Sequence, residues 1–137
     1  MEINNLLIYK DKTIIEALQK LNDILFLGHI SRLILFVIDE NKSIIGTITD
    51  GDIRRSLINH ANLNLRVEEI CNKKFIYEND HSDFVDLQVY RKQDIKILPI
   101  LDKKKKITRI IDLEKTRALL PLECMIMAGG RGKRLCP

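Results

Sequence analysis

In the segment IIGTITDGDIRR, which ends at Arg55, Thr49 and Asp52 lie three residues apart, with Gly46 shortly before them. An apolar strand ends at Thr49 and a helix opens around Asp52, so a hydroxyl and a carboxylate meet at a strand-to-helix crevice. A carboxylate accepts two hydrogen bonds at once, which suits the paired hydroxyls of a ribose. Backbone N–H groups at a helix start, joined by a hydroxyl, suit a phosphate. Gly46 leaves room for close backbone approach. Arg54 and Arg55 follow on the helix and offer a phosphate contact, with Arg55 the chosen candidate. The spacing alone leaves a second use open: Asp50 and Asp52 also serve as helix caps, a role worth about 1 kcal/mol.

A second cluster lies at the end of the chain, in ECMIMAGGRGKRLCP from Glu123 to Pro137. A short apolar strand, 124–128, runs into Gly129, Gly130 and Gly132. Their missing side chains let backbone N–H groups approach phosphate oxygens, and Arg134 adds positive charge. A flexible basic tail is the competing reading, and the apolar strand ahead of the glycines argues against it. A P-loop fails because no Gly-Lys-Ser/Thr ending follows. A dinucleotide fold fails because no second strand with an acidic end follows.

These residues need a scaffold, and the composition bounds it. The chain has 137 residues, 45% hydrophobic and 31% charged, which fits one compact domain or two small repeats sharing a core. It has no Trp, three Tyr and four Phe, too few aromatics for a base-stacking platform. No apolar run reaches the roughly 18 residues of a membrane span, and no leader pattern opens the chain. Cys71, Cys124 and Cys136 are odd in number and lack metal-ligand spacing, so no metal site is expected and a reducing cytoplasm is the expected setting. The formal charge of +4 is concentrated in Lys103–Lys106 and the basic C-terminus. The lysine run reads as a solvated turn between strands, and a nucleic-acid or lipid patch would need further basic residues converging on it.

The scaffold is written twice. Thr13 and Glu16 form a capping box before a helical stripe of Ile14, Ala17, Leu18 and Leu21. Leu33–Ile38 and Ile44–Thr49 read as strands joined by a polar turn, with Asp50 capping a final helix. In the second half, Phe75–Tyr77 is an extended piece and Ser82 a helix cap. Lys96–Leu101 is a strand whose Pro99 points to an edge or bulge position. Lys106–Ile111 is the returning strand, and Asp112 caps a last helix to about residue 120. Asp50 and Asp112 lie 62 positions apart, as do Asp52 and Glu114. In that alignment Thr108, Ile111 and Glu114 stand where Gly46, Thr49 and Asp52 do, so at most one competent cleft is expected. The fold class is α+β, a mixed α/β arrangement of two repeats, each extended piece, helix, strand, strand, helix. Neither is large enough to bury its own core, so the two pack side by side.

The IIGTITDGDIRR segment resembles the end of a cystathionine-β-synthase (CBS) domain, and LPILD, Leu98–Asp102, resembles the strand-to-turn element of the same family. The similarity covers about residues 3 to 118. It implies a tandem CBS pair, with repeats at 1–62 and 63–120, that senses an adenosine nucleotide in a cleft marked by Thr49, Asp52, Arg55 and Glu114. The terminal GGRGKRL with its Pro resembles the opening of sugar-1-phosphate nucleotidyltransferases, of the mannose- or glucosamine-1-phosphate guanylyltransferase kind. That resemblance implies that 121–137 begin a catalytic domain in which Gly129, Gly130, Gly132 and Arg134 hold the nucleoside triphosphate and the whole enzyme uses Mg. The chain itself is then expected to be catalytically inert and to need no cofactor. AMP, ADP or ATP would be its regulatory ligand. Its protein partners would be its own catalytic domain and a second copy in a homodimer, with no nucleic acid and no membrane. A ligand-free structural dimerisation module is the alternative, and a nucleic-acid binder is a third reading.

Overall fold

A computed structural model describes residues 3–28, 31–60, 62–80 and 86–116. After a 3-10 turn at Ile3–Leu6, the first half runs β1 (Leu7–Tyr9), α1 (Ile14–Leu27), β2 (Ile34–Ile38), β3 (Ile44–Thr49) and α2 (Asp50–His60). A short helix, α3 (Val67–Ile70), leads to β4 (Glu78–Asn79), α4 (Leu87–Lys92), β5 (Ile97–Leu101) and β6 (Ile107–Asp112). The strands form two three-stranded sheets, ordered β1-β2-β3 and β4-β5-β6. In each, the first strand runs parallel to the central one and the third antiparallel, so both halves are a parallel crossover followed by a hairpin.

The local causes are legible in α1. The Glu16 N–H donates to the Thr13 hydroxyl at 3.4 Å, and the Thr13 N–H donates to the Glu16 carboxylate at 2.8 Å, which closes the capping box. Ile14, Ala17, Leu21 and Ile24 then fall on the buried face. The helix runs past Asp23 to Leu27 and stops at Gly28, whose φ of 63° is the left-handed C-cap that glycine adopts at no steric cost.

The duplication is real, and its offset is 63 positions, not 62. Ile34, Ile44 and Thr49 correspond to Ile97, Ile107 and Asp112, each 63 later in the same register. Both hairpins carry a bulge at the equivalent step, Val37/Ile38 and Ile100/Leu101. Their turns are copies down to single bonds. The Asp39 carboxylate accepts the Asn41 and Ser43 N–H groups, and the Asp102 carboxylate accepts those of Lys104 and Lys106. Lys42 and Lys105 take the same left-handed conformation, φ 63° and 56°. Aligning Asp50 with Asp112 as helix caps is therefore a one-residue slip. The residues standing at Gly46, Thr49 and Asp52 are Arg109, Asp112 and Lys115, not Thr108, Ile111 and Glu114.

Other expectations shift for local reasons. Asp50 is the first residue of α2, not its cap, because Thr49 supplies the capping hydroxyl. Asp112 ends β6 and organises a turn by accepting the Glu114 and Lys115 N–H groups, both at 3.1 Å. The helix expected from there to about residue 120 is not formed over 113–116, which make a turn, and 117–120 lie outside the described residues. The second parallel strand is Glu78–Asn79, not Phe75–Tyr77. Asp86 caps α4 through the Gln88 N–H, while Ser82 falls outside the described residues. Pro99 sits in the central strand, not at an edge, and β4 pairs only with Ile100 and Leu101, so Pro99 faces no strand on that side. The lysine run forms the exposed β5–β6 turn.

The two halves share a core. Leu6, Ile14, Leu35, Phe36, Ile48 and Ile53 are fully buried in a cluster that Ile97 and Leu101 of the second sheet complete. A smaller cluster around Leu98, Ile100 and Leu113 lies under α4. Each such side chain contributes about 1.5–3 kcal/mol when removed from water. The hairpins also meet through the backbone: the Ile44 N–H donates to the Lys105 carbonyl at 2.9 Å and the Ser43 hydroxyl to that of Lys104 at 2.9 Å. The segment between the halves packs back on the first, through Val67 in the core and a Thr47–Asn72 bridge. Among the described residues no helix is long and apolar enough to cross a membrane.

Candidate functional site

The β3–α2 junction places Thr49, Asp52 and Arg55 in one chain of hydrogen bonds. The Thr49 N–H and hydroxyl donate to Asp52 Oδ2 at 2.8 and 2.7 Å, and the Asp52 N–H returns a bond to the hydroxyl at 3.3 Å. Arg55 Nη2 donates to Asp52 Oδ1 at 2.6 Å. The Asp52 side chain is 17% exposed and that of Arg55 is 71% exposed. Thr49 is thus the cap of α2 and Asp52 its reciprocal partner, while Asp50, expected as a cap, is not one. Arg54, on the next face, pairs with Asp50 at 2.8 Å.

Thr49 also lines a cleft of about 340 Å³ between the two halves. The cleft is walled by Ile34, Phe36, Thr47, Ile97 and Pro99, with Phe75 and Ile76 from the segment leading into β4. Arg32, Lys74, Asp94 and Lys96 bring charge to it. Apolar walls with a few convergent polar groups, at the size of a small-molecule pocket, fit a flat apolar ring with a polar tail. Asp52 does not line the cleft; it stands behind Thr49 and reaches it through that hydroxyl.

Glu114 is not brought to the Thr49–Asp52–Arg55 group. Its carboxylate accepts from Lys96 Nζ at 3.0 Å, and Lys96 also bonds Asp94 at 3.0 Å. The hydrogen bonds it donates to Asp94 and then Glu114 raise the Lys96 ammonium above its ordinary range. The same contact holds the Asp94 carboxyl low, with the Arg32 charge adding to it. Lys96 is the link the sequence reading missed. Arg32 and Lys96 precede β2 and β5 where the chain enters the cleft, but at the offset of 63 they correspond to Ile95 and Leu33, so the duplicated pattern does not mark them. Gly129, Gly130, Gly132 and Arg134 lie outside the described residues.

Gly46 has a cause within the chain. A Cβ there would sit 2.8 Å from Cys71 Sγ and 3.0 Å from the Asn72 carbonyl oxygen. Thr47 and Asn72 exchange backbone hydrogen bonds at 3.0 and 2.7 Å, which draws the segment after α3 onto β3. Burial raises the Cys71 thiol above its ordinary range, so it stays protonated as a packing group.

The equivalent place in the second half is built differently. Asp112, at the position of Thr49, accepts the Ser31 N–H at 2.9 Å and the Ser31 hydroxyl at 2.8 Å. Burial by itself would raise the Asp112 carboxyl, but these bonds and the Lys115 and Glu114 N–H groups hold it below its ordinary value. Lys115, at the position of Asp52, donates to the Gly28 carbonyl at 3.3 Å. A carboxylate and a lysine thus stand where the first half has a hydroxyl and a carboxylate, and both are spent on the chain itself. Among the described residues no group of three or more His, Cys, Asp and Glu side chains is placed to hold a metal ion.

Comparisons with known proteins agree with this architecture. Residues 1–59 match the family model of the CBS domain. No curated protein matches the chain. Staphylococcus aureus OpuCA is similar in structure at a TM-score of 0.63 and 15% identity, covering 78% of this chain and 84% of that one. The CBS domain pair of protein MJ0100, in complex with methylthioadenosine and S-adenosyl-L-methionine, is similar at 0.59 and 24% identity, covering 80% and 82%. The cytosolic domain of the Mg²⁺ channel MgtE in complex with ATP is similar at 0.62 and 20% identity, but this chain spans only 42% of that one. Residues 1–59 are thus similar in sequence to the CBS domain, and the described residues have the fold of a CBS domain pair.

Proposed function

We propose that the chain is a regulatory module that binds an adenosine nucleotide in the cleft lined by Thr49. The observation that carries this is the cleft itself, apolar in its walls and bordered by the Thr49 hydroxyl, which the Asp52 carboxylate holds from behind on a strand-to-helix turn. Two solved structures of similar fold hold adenosine ligands, which supports the choice of ligand class. In this mechanism Asp52 acts from behind Thr49, orienting the hydroxyl that meets the ligand in the cleft, while Arg55 holds the other carboxylate oxygen. Binding between the halves favours whichever packing of the halves closes on the ligand.

The attached activity is the second part of the proposal. The resemblance of 121–137 to the opening of a sugar-1-phosphate nucleotidyltransferase supports a catalytic partner in nucleotide-sugar synthesis, regulated by this module. A thermal-shift titration with AMP, ADP and ATP tests the binding. A rise in Tm that Asp52→Ala abolishes and Asp112→Ala leaves intact is expected. No shift with any of the three at millimolar ligand removes the reading.

A structural dimerisation module is the second reading. Phe26 at the end of α1 is 81% exposed and Ile58 on α2 is 83% exposed, apolar side chains that self-association would cover. Light scattering distinguishes the two: a dimer with no ligand response favours this reading, and a monomer at micromolar concentration removes it.

A further inference from the structure

The cleft carries charge that its fold does not use. Lys96 is committed to Asp94 and Glu114, each at 3.0 Å. Asp94 is the one carboxylate among the described cleft-lining residues, so the acid at the rim is already answered. Arg32 and Lys74 line the same cleft, both exposed, and neither has a carboxylate within ion-pair distance among the described residues. They enter from different halves of the chain, Arg32 just ahead of β2 and Lys74 ahead of β4. Both cations are exposed at an apolar cleft and disfavour a cationic ligand; Asp94 is within Coulombic reach of Arg32, but among the described residues neither cation is held in an ion pair. An anion in the cleft is attracted by both.

We propose that Arg32 and Lys74 are specificity-determining residues that make this cleft select a phosphate-bearing adenosine ligand over an uncharged or cationic one. The proposal rests on the adenosine-cleft reading above and adds to it the charge of the ligand. S-adenosyl-L-methionine carries a sulfonium and an ammonium against one carboxylate, a net positive charge, and adenosine carries none, so neither gains from the pair as a phosphate does. The two cations are solvent-exposed, so their attraction is modest, screened by salt and expressed largely in the association rate.

Calorimetric titration of the full chain with AMP, adenosine and S-adenosyl-L-methionine tests this. AMP is expected to bind roughly tenfold tighter than adenosine at low salt, with the ratio shrinking at high salt, and S-adenosyl-L-methionine is expected to bind weakest. The double variant Arg32→Gln with Lys74→Gln is expected to lower AMP to the level of adenosine and to leave adenosine itself unchanged. Equal binding of AMP and adenosine by the wild-type chain overturns the proposal while the adenosine cleft stands. A double variant that weakens both ligands equally also overturns it, because the two residues then serve the fold and not the phosphate. Binding of none of the three removes the cleft reading and this proposal together.

Discussion

Ser31 and Asp112 are joined by two hydrogen bonds across the seam between the halves, from the serine N–H at 2.9 Å and from its hydroxyl at 2.8 Å. They lie 81 positions apart in the chain, so this contact ties the entry of one central strand to the end of the other half's last strand. Asp112 has a depressed carboxyl, and its stabilising contribution is therefore present above its ordinary value of 3.8 and lost as pH falls through the lower folded value. Ser31→Ala is expected to cost about 1 kcal/mol at neutral pH. That cost is expected to shrink in denaturant titrations run progressively below pH 3.8. A cost independent of pH would show that the carboxylate is not the group the serine serves.

The same contact fixes an expected stoichiometry. With Asp112 and Lys115 engaged by Ser31 and Gly28, the Thr49 side is, of the two equivalent strand ends and among the described residues, the one left free for ligand. Titration with AMP is expected to saturate at one ligand per chain. Saturation at two, or one site that survives Asp52→Ala and is lost in Asp112→Ala, would contradict the assignment of the open cleft.

Gly46→Ala places a methyl group 2.8 Å from Cys71 Sγ and is expected to destabilise the fold by about 2 kcal/mol. Adding Cys71→Ala removes that sulfur but leaves the Asn72 carbonyl 3.0 Å away, so recovery is expected to be partial. Chemical denaturation of the single and double variants measures both. A neutral Gly46→Ala would mean that the segment after α3 moves away from β3 with ease.

Ile97 belongs to the second sheet yet is buried in the core of the first. Ile97→Ala is expected to lower stability by about 2–5 kcal/mol, with both halves melting in one transition. Calorimetry that separates two transitions would show that the halves fold as independent units.

The sequence determined the repeat, the α+β class, the capping box at Thr13 and the hairpin strands, because each rests on contacts within a few positions of chain. Apolar alternation, a cap and a turn carry their own signal. Thr49 and Asp52 were legible for the same reason, being bonded across three residues. The one-residue slip between the repeats was avoidable from sequence, since Asp39 and Asp102 open identical turns and set the offset at 63. Tertiary structure alone decided what those residues face. Gly46 answers to Cys71, Asp112 to Ser31, and Lys96 to Glu114, contacts 18 to 81 positions apart that no local pattern encodes. The cleft exists because two sheets that cannot each bury an apolar face bury it together, and the side chains left at that seam are chosen by packing, not by spacing.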